Sequence, residues 1–236
     1  MLVSIIIPTC NRPQFTKEAI ESVEMQTFKD LEIIVVEDEG ANVSAARNFG
    51  VSVSAGKYIA FLDSDDLWDK RKLEKQIKYL MDHPEFKICY TNEKWIRNGL
   101  HLNQLKKHQK YHGWIFDKCL PLCIISASSI IMERAVFDEL GGFDEDLVVC
   151  EDYDLWLRMA WKYPIAYFDE KLIVKRGGHA DQLSKKYWGM DRFRIQALGK
   201  LLKLDLSLEQ RKLVEAELQK KQEIFAKGAA KRELKN

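Results

Sequence analysis

Cysteine is scarce and poorly arranged for metal or disulfide work. The five cysteines, Cys10, Cys89, Cys119, Cys123 and Cys150, are odd in number and scattered. Cys119 and Cys123 lie four apart, but no second Cys or His pair completes a zinc pattern. Buried free thiols in a reducing compartment account for them simply. Long apolar runs are also missing. None approaches the ~20 residues that a bilayer crossing needs, and the first residues lack the charged-then-apolar pattern of a secretory leader. The longest runs, "LVSIII" and "CIISASSII", read as buried strands. Charge of one sign is absent too. The 37 basic residues stand against 36 acidic ones, so no whole-molecule field points to nucleic acid or an anionic membrane. Internal repeats and low-complexity segments are lacking. A cytoplasmic protein without a nucleic-acid partner is expected. Its 236 residues suffice for one sizeable core, or for one domain with a small appendage.

What is present is an alternation of strand and helix. "VSIIIP" (Val3 to Pro8) is a short apolar strand, broken by Asn11–Arg12–Pro13, and Phe15, Ala19, Ile20 and Val23 follow at helical spacing. "LEIIVVED" is a second strand ending in acid, "VSAARNFGVSVSAG" a helix closed by Gly56, and "KYIAFLD" a third strand ending in acid. "WDKRKLEKQIKYLMDHP" is amphipathic and stops before Pro84. Strands joined by crossover helices predict a mostly parallel sheet covered on both faces. Beyond it, "KICYTNE" and "ISASSIIM" read as strands, residues 96–118 as a polar loop or hairpin, and "RAVFDEL" as a short helix ended by Gly141–Gly142. "EDYDLWLRMAWKY" is a helix with an acidic first turn, "IAYFDE" and "KLIVKR" are two short strands, and the chain after Asp181 reads as helical with a break near Asp205–Ser207.

The chemistry gathers where strands end. In "YIAFLDSDDLW" an apolar strand runs straight into Asp63, Asp65 and Asp66. Carboxylates that close repel and raise one another's pKa unless something positive sits among them. A divalent cation is the natural partner, since Mg2+ and Mn2+ take hard oxygen ligands and commonly use one or two carboxylates plus substrate phosphates. The plain alternative is that Asp63, Ser64 and Asp65 cap the helix that follows. Ligands of open α/β sheets collect beyond the carboxyl ends of the strands, and Pro8–Arg12, Asp38 and Asp63–Asp66 all stand at such ends.

Taken together, "SIIIPTCNRP", "EIIVVED", "AARNFGVSVSAGKYIAFLDSDDLW" and "CEDYDLWLRMA" resemble the ordered signatures of family-2 glycosyltransferases, over about residues 1 to 185. The resemblance implies a GT-A fold and an inverting, nucleotide-sugar-dependent transfer. It puts Pro8, Thr9, Cys10 and Arg12 under the nucleotide, Asp38 on the pyrimidine ring, and Arg47, Asn48 and Ser64 on the nucleotide side. Asp63 and Asp65 bracket the family's DXD, with Asp65 as the direct ligand of Mg2+ or Mn2+, and His179 stands where a histidine contacts the metal or diphosphate. Asp152 matches the general base. Weaker expectations give Glu151, Trp114 and Arg176 contacts to substrate or acceptor, with Gln182 beside Arg176; Trp95 and Trp188 are further candidates for stacking on sugar. The donor expected first is a UDP-sugar. The acceptor expected is a saccharide or lipid-linked saccharide of polysaccharide or glycolipid synthesis.

Two departures from the family stand out. The second strand is followed by Glu37–Asp38–Glu39–Gly40 rather than Asp-Asp-Gly-Ser, and only "EGANVSA" separates that acid from "ARN". The N-terminal half is therefore shortened, the sheet is expected to lack an edge strand, and the wall of the base pocket must be built differently. The expected domains are 1–205, catalytic, with a nucleotide-sugar half (1–100) and an acceptor half (101–205), and 206–236, a helical extension. For that tail, docking on its own domain comes first, a homodimer second, and peripheral attachment at the inner face of a membrane third. Two rivals to the enzyme remain: a nucleotidyltransferase, which usually wants a Gly-rich, basic loop that "PTCNRPQF" lacks, and a non-catalytic nucleotide-sugar binding module.

Overall fold

The structure, a computed structural model, describes residues 1–38, 42–179 and 187–233; Glu39, Gly40, Asp181 and Gln182 lie outside them. Among the described residues one sheet holds β1 (Val3–Thr9), β2 (Leu31–Glu37), β3 (Tyr58–Phe61), β4 (Leu67–Trp68), β5 (Ile88–Arg97), β6 (Leu100–Leu102), β7 (Ile131–Glu133) and β8 (Ala166–Gly177). Their order is β2-β1-β3-β7-β5-β8-β4, with β6 pairing β5. β1 is parallel to β2 and β3. β7 is antiparallel to both β3 and β5, so β5 again runs with β3, and β8 is parallel to β5. Five strands thus point one way and deliver their carboxyl ends to one edge; β4 and β6 run against them.

β1 is central because each of its seven residues is buried. β2 is only half-buried and ends the sheet, as the shortened N-terminal half requires. Helices α1 (Pro13–Glu24), α2 (Val43–Ser52), α3 (Lys72–Asp82), α4 (Phe116–Cys119), α5 (Arg134–Leu140) and α6 (Glu151–Lys162) pack on the two faces. One core joins Ile5, Ile7, Ala19, Val23, Leu73 and Ile77. The other joins Ile6, Phe61, Phe137, Tyr153 and Trp156. This split follows from the alternation of side chains along β1. Asn42 starts α2 by accepting from the backbone N–H groups of Ser44 and Ala45. α2 then lies so close to the sheet at Gly50 that a Cβ there would stand 2.5 Å from the Ile6 side chain.

Four expectations change. "IAYFDE" and "KLIVKR" form one continuous strand, β8, in which the polar Asp169–Lys171 region is a bulge where pairing with β5 shifts at Thr91/Asn92 and Asn92/Glu93. "ISASSIIM" holds a 3-10 turn, Ala127–Ser129, and only its last two residues enter the short β7. Residues Leu67–Trp68 form strand β4, and α3 begins only at Lys72, so Asp63, Ser64 and Asp65 cap no helix. Residues 187–190 precede, and do not belong to, a helix. β5 and β6 form a hairpin whose turn, Asn98–Gly99, has φ of 50° and 77°, the left-handed pair that a tight hairpin turn demands. The chain then finishes with α7 (Asp191–Leu201) and α8 (Leu208–Glu233). α8 docks on its own chain: Val214 is fully buried in the core that holds Leu198 and Leu201, and Lys221 donates to the Pro121 carbonyl at 2.9 Å. No helix among the described residues is long and apolar enough to cross a membrane.

Candidate active site

The shared strand edge opens into a cleft of about 1210 Å³. Pro8, Thr9, Cys10 and Arg12 line it from the end of β1, Asp38 from β2, and Asp63 to Asp66 from β3. Opposite them come Glu151 and Asp152 from the first turn of α6, with Lys175 and Arg176 from the end of β8. Residues separated by more than a hundred positions meet because the strands that carry them are parallel.

The three aspartates after β3 have separate partners. Asp63 Oδ1 accepts from Arg47 Nη2 at 2.7 Å. Burial works against its charge, yet Arg47 and Lys175 outweigh it and hold the carboxyl below its ordinary pKa. Asp66 accepts from Ser128 Oγ at 2.6 Å and from the Arg176 backbone N–H at 2.9 Å; it fastens the β3 loop to β8, and burial raises its pKa. Asp65 faces a cation-rich corner, with Arg12 Nη1 3.2 Å and His179 Nε2 2.8 Å from the same Oδ2. Burial first, and then the neighbouring Asp63, raise its pKa.

Arg47 is 5% exposed and spans the site's two halves, since its Nη1 also donates to Glu151 Oε1 at 2.6 Å. Burial, with Asp152 alongside, pushes Glu151 upward against the pull of Arg47. Asp152 is half-buried; its Oδ1 accepts from the Tyr153 N–H at 2.7 Å, and its Oδ2 lies 3.3 Å from the Cys123 sulfur, whose one proton is shared with the Ile125 carbonyl at the same distance. Burial and Asp152 raise the Cys123 pKa, so the thiol keeps its proton to donate.

Several sequence expectations are revised here. Arg47 lines the cleft and is also a buried tie between Asp63 and Glu151. Asn48 does not line the cleft: its amide holds the backbone of Phe143 at both its N–H and its carbonyl. Trp114 is 68% exposed and lies outside the cleft lining. Trp188 stacks on Phe225 of α8, whereas Trp95 does line the cleft. Arg176 turns its side chain to Glu18 and the Asp65 carbonyl and over the ring of Phe15, although it borders the cleft. Glu37 accepts from the Asn11 N–H at 2.8 Å and faces solvent, so its charge does not crowd Asp38. All five cysteines are free, and Cys10 and Cys123 are half-buried rather than buried.

A buried wall was not foreseen. Glu93 accepts from Ser126 Oγ at 2.6 Å and Trp95 Nε1 at 2.8 Å, with Lys110 Nζ 3.3 Å away. Burial opposes its charge, and Lys110 and Lys175 overcome that, lowering its pKa. Burial likewise works against the Lys175 ammonium, but Glu93, Asp66, Asp63 and Asp152 reverse the sign and raise it. A Lys–Arg pair closing an apolar strand is the signal that would have marked Lys175.

A mixed α/β sheet with acids at two strand ends and a helix-borne carboxylate lining one cleft is the arrangement of the GT-A fold. More particularly, the chain belongs to the family described as "Glycosyltransferase like family 2", whose model matches residues 14–201. It is 32% identical over 214 residues to an uncharacterised glycosyltransferase of Rickettsia conorii, covering 78% of this chain but only 35% of that protein. It is 29% identical over 180 residues to the Escherichia coli UDP-Glc:alpha-D-GlcNAc-diphosphoundecaprenol beta-1,3-glucosyltransferase WfgD, covering 66% of this chain and 68% of the relative. Among solved structures, Staphylococcus aureus TarS 1–349 in complex with UDP-GlcNAc is similar in fold with a TM-score of 0.77, at 18% identity over 94% of this chain and 72% of that one. The Pyrobaculum calidifontis mannosyltransferase PcManGT, in complex with GDP-Man and Mn2+, has a TM-score of 0.64 at 15% identity, over 92% of this chain and 68% of that one.

Proposed function

We propose that this glycosyltransferase moves a sugar from a nucleoside diphosphate, with a UDP-sugar the first choice, to an acceptor hydroxyl with inversion and with the help of a divalent cation. The observation that carries the proposal is the position of Asp152, on the same cleft as Asp65 and Asp38 but on a different element. The UDP-glucose and diphosphoundecaprenol-linked acceptor in the name of the E. coli relative support a UDP-sugar donor and a lipid-linked saccharide acceptor. Residues 1–205 would form the catalytic domain and residues 206–236 its helical extension.

A divalent cation suits the donors at this corner: Asp65 Oδ2 and His179 Nε2, 2.8 Å apart, are a carboxylate oxygen and an imidazole nitrogen, both donors that bind divalent ions. Such an ion commonly takes one or two carboxylates and completes its shell with substrate phosphates and water. Asp65 and His179 would hold it, with Asp63 in support, and bound there it would neutralise charge on the departing diphosphate.

The chain's own residues perform the rest. Asp152 takes the proton as the acceptor O–H bond breaks, the acceptor oxygen bonds to the anomeric carbon, and the bond from that carbon to the phosphate oxygen breaks with its electron pair leaving on the diphosphate. A base placed opposite the leaving group gives inversion, and a positioned carboxylate is worth ~10² to 10⁴ in rate. Asp38 would orient the base, while Arg12 would meet the diphosphate.

The test is a panel of nucleotide sugars with Mn2+, following donor hydrolysis without acceptor. Release of UDP from a UDP-sugar, lost on chelation, is expected. Pyrophosphate from a nucleoside triphosphate would instead mark a nucleotidyltransferase, and no release from any donor would leave a binding module.

A further inference from the structure

The segment from Lys94 to Phe116 carries five Lys and Arg residues and three of the chain's five histidines, with no Asp or Glu in 23 positions. In a chain of net charge +1 this is a strong local excess. Lys110 is internal and paired with Glu93; Lys94, Arg97, Lys106 and Lys107 are exposed. Interleaved with them are Leu100, Leu102 and Leu105, which are 71%, 40% and 62% exposed. Single exposed leucines are ordinary; three in six residues among unopposed cations are not.

The fold makes this segment a fixed projection beside the cleft. The β5–β6 hairpin grows directly out of the sheet, and its turn is tied to the end of β8 by a hydrogen bond from the Asn98 N–H to the Gly177 carbonyl at 3.0 Å. Cross-strand pairs share a face, so Trp95 and Leu102, and then Arg97 and Leu100, form one row. That row begins at Trp95 in the cleft lining and runs outward to the tip. The 3-10 turn Lys106–His108 then returns to the cleft, where His108 packs on Trp95 with ring centroids 4.7 Å apart. Basic and apolar side chains thus extend outward from the cleft, which the segment lines at Trp95 and His108.

We infer that this hairpin and the turn after it dock the enzyme on an anionic lipid surface, presenting the cleft to a headgroup-borne acceptor. Juxtaposed cations are each attracted to anionic headgroups, and exposed leucines insert at the boundary between headgroups and acyl chains. α8 fits this role less well: its charges are mixed along its length and its Val214 is committed to the core. The acceptor clause rests on the proposed transfer reaction; the docking surface does not.

The experiment is co-sedimentation of the full chain with phosphatidylcholine vesicles, alone or with about one third phosphatidylglycerol, compared across wild type, L100S/L105S and K106Q/K107Q. Wild type should partition onto the anionic vesicles, release at high salt, and ignore the neutral ones. Each double variant should bind roughly ten- to thirty-fold more weakly. Donor hydrolysis in solution, free of lipid, should be unchanged in both, which separates the surface from the reaction. Wild type that ignores anionic vesicles overturns the inference and points the patch at an acidic protein. Equal binding to neutral vesicles, or variants that bind like wild type, overturns it as well.

Discussion

Arg47 Nη1 donates to Glu151 Oε1 at 2.6 Å across 104 residues of sequence, with side chains only 5% and 7% exposed. The same guanidinium holds Asp63 at 2.7 Å. One cation therefore locks the loop after β3 to the first turn of the helix that carries Asp152.

Removing it leaves Glu151 buried without its partner, while Asp63, 30% exposed, keeps Lys175 and Arg12 nearby. Breaking a buried pair by deleting one partner costs about 3–5 kcal/mol, so Arg47→Ala should lower unfolding free energy by about that much in a denaturant titration. Arg47→Lys reaches one carboxylate but not both; it should recover part of the stability and little of the donor turnover. An Arg47→Ala protein as stable as wild type would show that the tie is not formed.

Asp65 and His179 make a different prediction. Asp65→Asn should cut donor hydrolysis by roughly 10²-fold or more, given the size of electrostatic leaving-group stabilisation, and should weaken Mn2+ binding measured by electron paramagnetic resonance in the absence of donor. His179→Ala should act in the same direction more mildly. Unchanged Mn2+ binding in both variants would remove the cation from this corner.

The Cys123 thiol stands 3.3 Å from Oδ2 of Asp152, the proposed base, and equally close to the Ile125 carbonyl. A contact that holds the carboxylate in one orientation positions it for the acceptor, so Cys123→Ala should lower kcat for transfer. Donor KM should stay nearly fixed, and Cys123→Ser should restore most of the lost rate. A kcat equal to that of wild type would make the contact incidental.

Lys72 gives a test of the core. Its side chain is fully buried, donates to Gln76 Oε1 at 2.8 Å and lies 3.9 Å from the Trp68 ring, and burial pushes its ammonium down to about 7 from an ordinary 10.5. The folded state thus sheds a proton that the unfolded chain keeps up to pH 10.5, so folding stability should rise with pH between about 7 and 10.5. Lys72→Met should flatten that rise, measured as unfolding free energy at pH 7 and pH 9. Wild-type and Lys72→Met stabilities that stay parallel would mean the ammonium remains charged over Trp68.

Much of this architecture could be read from the chain. Apolar runs ending in Asp38 and Asp63, separated by crossover helices, are local patterns, and parallel pairing converts them into one cleft without further information. The helix that starts at Glu151 was equally plain from its periodicity. What the sequence hid depends on register. The Lys–Arg pair in "KLIVKR" marks a charged strand end, but Lys175 pairs with Trp95 only because a bulge at Asp169–Lys171 resets β8 against β5, and that shift has no local signal. Glu93 and Lys110 were hidden for the same reason: each looks solvated alone, and their burial arises from strands that meet far along the chain. The alternative that Asp63 to Asp65 cap a helix failed because Leu67–Trp68 pairs with Val174 and Ile173 as β4, which delays α3 to Lys72. Trp114 lies outside the cleft lining, and an aromatic in a polar loop carries no local sign of where the fold will set it.

The most direct test is Asp152→Asn, with donor affinity by calorimetry and transfer to a saccharide acceptor measured on the same preparation. Donor affinity should be nearly unchanged, while transfer falls by ~10² to 10⁴. Transfer near the wild-type rate would contradict the assignment of Asp152 as the base.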